Sequence, residues 1–187
     1  MKKLALPIFL LSLALASLAC TLFIGGPDYP SEVVPVSTEA AQSLRDQVKQ
    51  MFEAGALGGP ITLQISETQL TSYLAEKLAA QTNPLMTEPK VFLRDGQMQV
   101  FGKVQRSIFT ANVAIILGVG VDDTGAPKLD VLSADFGPFD APQGLNGAIS
   151  KLVSEAYTGS IGPAATGFRI ESIAIANGVM TIVGRIK

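Results

Sequence analysis

Histidine and tryptophan are absent from this sequence of 187 residues, and cysteine occurs once, at Cys20. Without histidine, neither a Ser-His nor a Cys-His nucleophile system can form. A zinc site built from cysteine and histidine is excluded for the same reason. Paired carboxylates remain as a route to glycoside hydrolysis, but the acidic residues are scattered and tryptophan is missing as a sugar platform. We therefore expect a protein that is not an enzyme and that has no metal or other cofactor.

Positive charge is also limited, and it is not concentrated in one place. The chain carries 14 Lys and Arg residues against 16 Asp and Glu residues, with no basic tract. A nucleic-acid partner is not expected, because such partners require clustered basic residues. Asp122 and Asp123 before Thr124 and Gly125 hint at a calcium loop, but the ligand spacing of an EF-hand is missing. The favoured interpretation is a polar turn between two strands.

The first twenty residues have the layout of an export signal. Lys2 and Lys3 precede an apolar run, and small residues precede Cys20. The run is shorter than the roughly 20 apolar residues that span a membrane, so a signal peptide over residues 1–19 is predicted. The segment resembles a bacterial lipoprotein signal, which implies that Cys20 is the lipid attachment residue of an extracytoplasmic protein anchored to the cell membrane. Ser17 departs from the usual pattern, and ordinary secretion is the alternative.

Beyond the cysteine, the pattern predicts a tether followed by one domain. Glycine and proline punctuate residues 20–36, which favours an extended tether. Residues 37–187 have a length that suits a single domain. A helix is predicted over residues 38–55, capped by Thr38. Its apolar stripe consists of Ala41, Leu44, Val48, Met51 and Phe52.

A second helix follows the alternating strand at residues 61–65. Ser66 and Gln69 form a capping-box pattern at its start. Its inner face is predicted to carry Leu70, Tyr73, Leu74 and Leu78. A further helix is predicted from about Pro142, since apolar residues recur there at helical spacing. That stripe consists of Leu145, Ile149, Leu152, Val153 and Ala156.

Two stretches share one pattern: VFLRDGQMQVFGKV at residues 91–104 and IAIANGVMTIVGRI at residues 173–186. Their Asp-Gly and Asn-Gly dipeptides are typical of two-residue hairpin turns. Gly102 and Gly184 then recur at the same point, which indicates a bulge or a close neighbour there. A further bulge is predicted near residues 171–172, where the alternation slips.

The order strand, helix, hairpin occurs twice, over residues 61–104 and 128–187. Such internal similarity is typical of a pseudo-repeat. The sequence therefore predicts an α+β fold, in which two related halves build a curved antiparallel sheet with helices packed on one face.

The stretch SIFTANVAIILGVGV, at residues 107–121, is apolar on both faces. Its β-branched residues favour a strand that is covered on both sides. Small side chains there leave room for a ligand, although they equally suit close packing by a helix. The candidate ligand-binding residues are Ala111, Ala114, Ile116, Gly118 and Gly120.

Three segments carry a resemblance to a known family: ISETQLTSYLAEKL, DFGPFDAP and IESIAIANGVMTIVGRI. They resemble the LmeA-like and YpmS-like extracytoplasmic domains of unknown function. The LmeA-like family is similar to the tubular lipid-binding (TULIP) fold, in which a helix lies along a curved sheet with acyl chains between them. The resemblance implies a lipid or another hydrophobic ligand, but matches no polar signature. The alternative is a non-catalytic structural or assembly protein that docks a protein partner in the cell envelope.

Overall fold

The computed structural model describes residues 21–55, 59–149, 151 and 168–186 of the chain. Its helices are α1 (Thr38–Gly55), α2 (Glu67–Ala79) and α3, which is described over residues 145–149 and at residue 151. Its strands are β1 (Leu22–Phe23), β2 (Pro60–Ser66), β3 (Thr87–Arg94), β4 (Gln97–Arg106), β5 (Phe109–Val121), β6 (Pro127–Asp135), β7 (Phe168–Ala176) and β8 (Val179–Ile186). Three of the predicted stripe residues, Leu152, Val153 and Ala156, lie outside the described residues, as do the signal peptide and Cys20.

The two longer helices begin at side chains that cap their free amides. The Ser66 hydroxyl accepts a hydrogen bond from the Gln69 amide, and the Gln69 side chain accepts one from the Ser66 amide. This is the predicted capping box. Helix α1 has the predicted bounds, but its cap is Ser37 rather than Thr38, because the Ser37 hydroxyl accepts from the Ala40 amide. Within the described residues, no helix is long and apolar enough to cross a membrane.

The strands form two sheets that curl around a shared interior. Strands β3, β4, β5 and β6 are antiparallel neighbours in that order, and β1 pairs in parallel with the start of β5. Strands β2, β8 and β7 form a second, antiparallel sheet. Backbone hydrogen bonds from Ile170 to Gly125 and from Gly178 to Leu93 join the two sheets. The α+β class and the curved sheet with helices are therefore confirmed, with β1 as a parallel addition.

Helix α2 covers the open edge of β3. The Thr71 hydroxyl accepts from the Val91 amide at 2.9 Å, and the Glu67 carboxylate accepts from the Leu93 amide at 2.8 Å. Unpaired amides on an edge strand otherwise invite pairing with another chain. These contacts explain why Thr71, a polar residue, is fully buried on this helix.

The two predicted hairpins, β3–β4 and β7–β8, have the same local geometry. Asp95-Gly96 and Asn177-Gly178 all have positive φ, as a type I′ turn requires. Each first strand is irregular opposite its partner's glycine, between Thr87 and Lys90 and between Ile170 and Ser172. The predicted bulges are therefore confirmed.

An ion pair accompanies each of these bulges. Glu88 pairs with Lys103 beside the first, and Glu171 pairs with Arg185 beside the second. The strand order around the hairpins differs, however, because β2 pairs with β8 whereas β6 pairs with β5. The hairpins recur in the structure, and the pseudo-repeat of whole halves stays a prediction.

Residues 21–36 differ from the predicted tether because they contact the sheet; we call them the N-terminal strap. The strap begins with β1, after which the Asn112 amide donates to the Gly25 carbonyl at 2.9 Å. The Asn112 side chain also donates to the Pro27 carbonyl at 3.1 Å. Asn112 lies on the outer face of β5, so this face supports the first half of the strap.

Lys90 on β3 holds the second half of the strap. Its ammonium donates to the Pro30 and Glu32 carbonyls at 2.6 and 2.9 Å, and lies 4.4 Å from the centroid of the Tyr29 ring. Arg94, further along β3, pairs with the Glu32 carboxylate at 2.7 Å. After β1 the strap has no helix or strand, as its glycines and prolines predict, but its carbonyls accept hydrogen bonds from the sheet, and the sequence pattern does not predict these contacts.

Candidate ligand-binding cavity

A cavity of about 280 Å³ lies between the inner faces of the two sheets and helices α1 and α2. Two buried hydrophobic clusters meet there, and Leu70 and Met98 pack against both. Most of its lining residues are aliphatic or methionine. The strand residues that line it are Leu63, Ile65, Val91, Met98, Val100, Ile115, Leu117, Val119, Pro127, Leu129, Ile170, Ile173, Met180 and Ile182.

The helices contribute to the cavity through the stripes that their sequences predict. Residues three or four positions apart lie on one face of a helix, so each stripe points inward as a row. The helix residues that line the cavity include Leu44, Val48 and Met51 of α1 and Leu70, Leu74 and Leu78 of α2. The inner face predicted for α2 is therefore confirmed in full.

Arg45 and Tyr73 are the lining residues with strongly polar groups. The Arg45 guanidinium lies 5.6 Å from the centroid of the Tyr73 ring and forms a salt bridge with Glu76. Lys77 approaches the same ring at 5.5 Å. The Arg45 side chain is 28% exposed, so the cavity reaches solvent at this group, which we call the polar mouth.

The charges at the polar mouth stabilise one another. The hydrogen bond from Arg45 holds the pKa of the Glu76 carboxyl below its usual range, and the same bond raises the pKa of Arg45. The pair is partly solvent-exposed, so it orients the guanidinium more than it stabilises the fold. An anionic group entering here would meet Arg45 already positioned beside an aromatic ring.

The five candidate ligand-binding residues do not line this cavity. Ala111 is fully buried in the core. The other four, Ala114, Ile116, Gly118 and Gly120, are half-buried on the outer face of β5. The space beside Gly118 is used within the sheet, because a Cβ there would lie 3.5 Å from the Leu132 side chain.

The residues that the sequence interpretation missed are the large ones on the other face of the same strand. Ile115, Leu117 and Val119 line the cavity, and the alternation of side chains along a strand places them on one face. Large aliphatic residues on one face of a strand are typical of a packed core as well as of a ligand site. The cavity exists because the sheets and the helices stand apart. The sizes of the side chains along one strand do not predict that distance between the layers.

The turn at residues 122–125 uses its carboxylate within the backbone. The Asp122 carboxylate accepts from the Thr124 hydroxyl and amide and from the Ala126 amide, at 2.6 to 2.9 Å. The Thr124 hydroxyl is the main cause that lowers the pKa of Asp122. This geometry supports the polar-turn interpretation.

In the parts of the chain that the structure describes, no group of three or more Cys, Asp or Glu side chains is placed to hold a metal.

Comparison of the chain with protein-family models, curated proteins and solved structures gave no match. The resemblance to LmeA-like, YpmS-like and TULIP proteins therefore stays a prediction. The features of the molecule that bear on function are the cavity, its polar mouth and the surface of the described residues.

Proposed function

We propose that the protein binds an apolar molecule, such as an acyl chain of a lipid, in the cavity between its sheets and helices, and catalyses no reaction. The observation that carries the proposal is a cavity of about 280 Å³ with a nearly continuous aliphatic lining. An apolar cavity of about 150 Å³ already binds benzene, and small-molecule sites begin near 300 Å³. Burial of apolar surface would supply affinity at about 25 cal/mol per Å².

The polar mouth favours an amphiphile over a pure hydrocarbon. Arg45 lines the cavity and is also partly exposed, so a chain buried inside would leave its polar end beside the guanidinium. A carboxylate or phosphate at that end would compete with Glu76 for Arg45, gaining a charge-assisted hydrogen bond. Fatty acids and phospholipids both present this combination of groups.

We further propose that Cys20 is acylated and holds the protein at the extracytoplasmic face of the cell membrane. The support is the signal layout of residues 1–19 and the position of the single cysteine. Because the N-terminal strap contacts the sheet, the domain would lie directly on the membrane rather than stand off on a tether. A ligand taken from the bilayer would then have a short path to the protein.

Native mass spectrometry of the chain purified from its membranes tests the ligand. Val119 and Ile116 lie on opposite faces of β5, and only Val119 lines the cavity. We expect Val119→Phe to fill the space and lose the co-purifying lipid mass. Ile116→Phe, the matched control, adds a phenyl ring on the outer face and should retain that mass. Circular dichroism establishes that both variants are folded.

Two results would contradict the proposal. A wild-type chain that carries no lipid, with a stoichiometric protein bound instead, would favour the partner-docking alternative. A folded Val119→Phe variant that still carries the lipid would move the ligand out of the cavity. The anchor is tested separately, because Cys20→Ser should leave uncleaved precursor or release the protein from membranes; a processed Cys20→Ser protein that stays attached would refute acylation.

A further inference from the structure

Four large apolar side chains are exposed together at one end of the five-stranded sheet. Leu22, Phe23, Ile108 and Phe109 are 56%, 57%, 53% and 39% exposed. They adjoin because β1 pairs with the start of β5, with Leu22 opposite Phe109, and because the Leu22 amide donates to the Ile108 carbonyl at 2.6 Å. We call these four residues the apolar tip.

The fold itself does not require an apolar tip. The turn between β4 and β5 is Ser107-Ile108, whereas the other two-residue hairpin turns are Asp95-Gly96 and Asn177-Gly178. Two-residue turns favour Gly, Asn and Asp, which suit positive φ and solvent. Ser107 adopts a φ of 57° without being glycine, and Ile108 beside it exposes a branched hydrocarbon. Neither residue is explained by turn geometry, and a cluster of exposed apolar residues usually marks an interaction surface.

The chain before the described residues indicates what covers the tip. One residue separates Leu22 from Cys20, so the two Cα atoms are at most about 7 Å apart by covalent geometry. Backbone pairing of β1 with β5 fixes Leu22 beside Ile108. Acyl chains on Cys20 would therefore enter the bilayer next to the tip.

We propose that the apolar tip inserts into the headgroup–acyl boundary of the membrane beside the Cys20 anchor and so fixes the orientation of the domain; this rests on the anchoring proposed above. Interfacial insertion adds buried apolar area to the lipid anchor. Strand β5 then rises from the membrane. Its cavity-lining residues begin at Ile115, seven residues from Ile108, about 23 Å further along the strand.

The absence of tryptophan gives a direct test, because a single introduced tryptophan is the only one in the protein. Acylated Ile108→Trp is reconstituted in vesicles of phosphatidylethanolamine and phosphatidylglycerol, with and without brominated acyl chains. We expect its emission to shift to shorter wavelength on reconstitution and to be quenched by the brominated lipid. Leu132→Trp is the matched control, since Leu132 is 56% exposed but lies on β6 beside Ile116 and Leu117, eight to nine residues along β5 from Ile108. Its emission should remain that of a solvated indole.

A water-like, unquenched Ile108→Trp in membrane-attached protein would overturn the proposal, as would equal quenching of both variants. The test remains informative if Cys20 is not acylated, because the secreted chain can be titrated with the same vesicles. Ile108→Ser and Phe109→Ser should then each weaken its vesicle binding by about tenfold. Unchanged binding would again count against the tip. Failure of the cavity proposal appears only in the mass spectrum and failure of the anchor only with Cys20→Ser, so each failure is distinguishable from that of the tip.

Discussion

The inner and outer faces of the five-stranded sheet are packed by opposite means. The inner face carries fully buried residues such as Leu93 and Val113, and it borders the cavity through Ile115 and Leu117. The outer face is half-exposed along β5 and receives the N-terminal strap through Asn112 and other polar side chains. Aliphatic burial therefore holds the inner side, whereas the outer side combines hydrogen bonds to the strap with an edge-to-face contact between Phe92 and Phe101.

The difference shows that the free space beside a strand need not lie next to its small side chains. The large residues face the cavity, because they project toward helices that stand at a distance. The small residues face outward, where a strap and neighbouring side chains lie close to the sheet. A ligand site inferred from small residues alone therefore falls on the wrong face of this strand relative to the cavity.

The largest expected difference between the two faces comes from truncating one leucine on each sheet surface. Leu93→Ala removes a side chain with no solvent exposure from the inner cluster and should lower the free energy of unfolding by about 2–5 kcal/mol. Leu132→Ala, at a leucine that is 56% exposed, should change it by less than about 0.5 kcal/mol. Urea denaturation measures both. Equal losses would show that the outer leucine is covered in solution.

Glycines on the two faces should respond in the same direction, with a smaller difference. A Cβ on Gly102, on the inner face, would lie 2.6 Å from the sulfur and 3.1 Å from the Cβ of Met86, which is itself buried. Displacing Met86 should cost about 1–3 kcal/mol in Gly102→Ala. Gly120→Ala is the control, because nothing lies within 4 Å of the new methyl group. Thermal unfolding compares the two, and a neutral Gly102→Ala would mean that Met86 moves freely.

Several parts of this architecture were predictable because their causes are local. The capping box at Ser66, the turn glycines and the bulges beside Gly102 and Gly184 each depend on residues close in sequence or in one hairpin. The strand pairing was harder to predict from the sequence, since β2 pairs with β8, from which most of the chain separates it in sequence. The strap depended on Lys90 reaching carbonyls about 60 residues earlier. No local pattern encodes such contacts.

The third prediction removes the ammonium that holds the strap on the outer face. Lys90→Met keeps the aliphatic stem but leaves the Pro30 and Glu32 carbonyls without their donor. We expect a loss of about 1 kcal/mol, and faster hydrogen exchange confined to residues 27–36. Lys128→Met breaks an exposed pair with Asp130 away from the strap and should leave that exchange unchanged. If hydrogen exchange in the Lys90 variant were no faster at residues 27–36 than in the rest of the chain, the strap would be held by other contacts.

The smallest expected effect is on the acid dependence of the free energy of unfolding. It compares the salt bridge at the polar mouth of the cavity with the salt bridge on the outer face. Arg45 holds the pKa of Glu76 below its ordinary value of 4.5, so this pair contributes stability at neutral pH and loses it as the pH falls through the folded pKa. The contribution should stay below about 1 kcal/mol, because the Glu76 side chain is 47% exposed and screened by solvent.

Glu76→Gln should remove that part of the acid dependence below about pH 4.5. The control is Glu32→Gln, which breaks the outer pair with Arg94 and should leave that part of the acid dependence in place. Urea titrations between pH 3 and 7 at low salt measure the difference. An identical acid dependence in wild type and Glu76→Gln would show that Arg45 is not held by Glu76 in solution and is free to meet an anionic ligand.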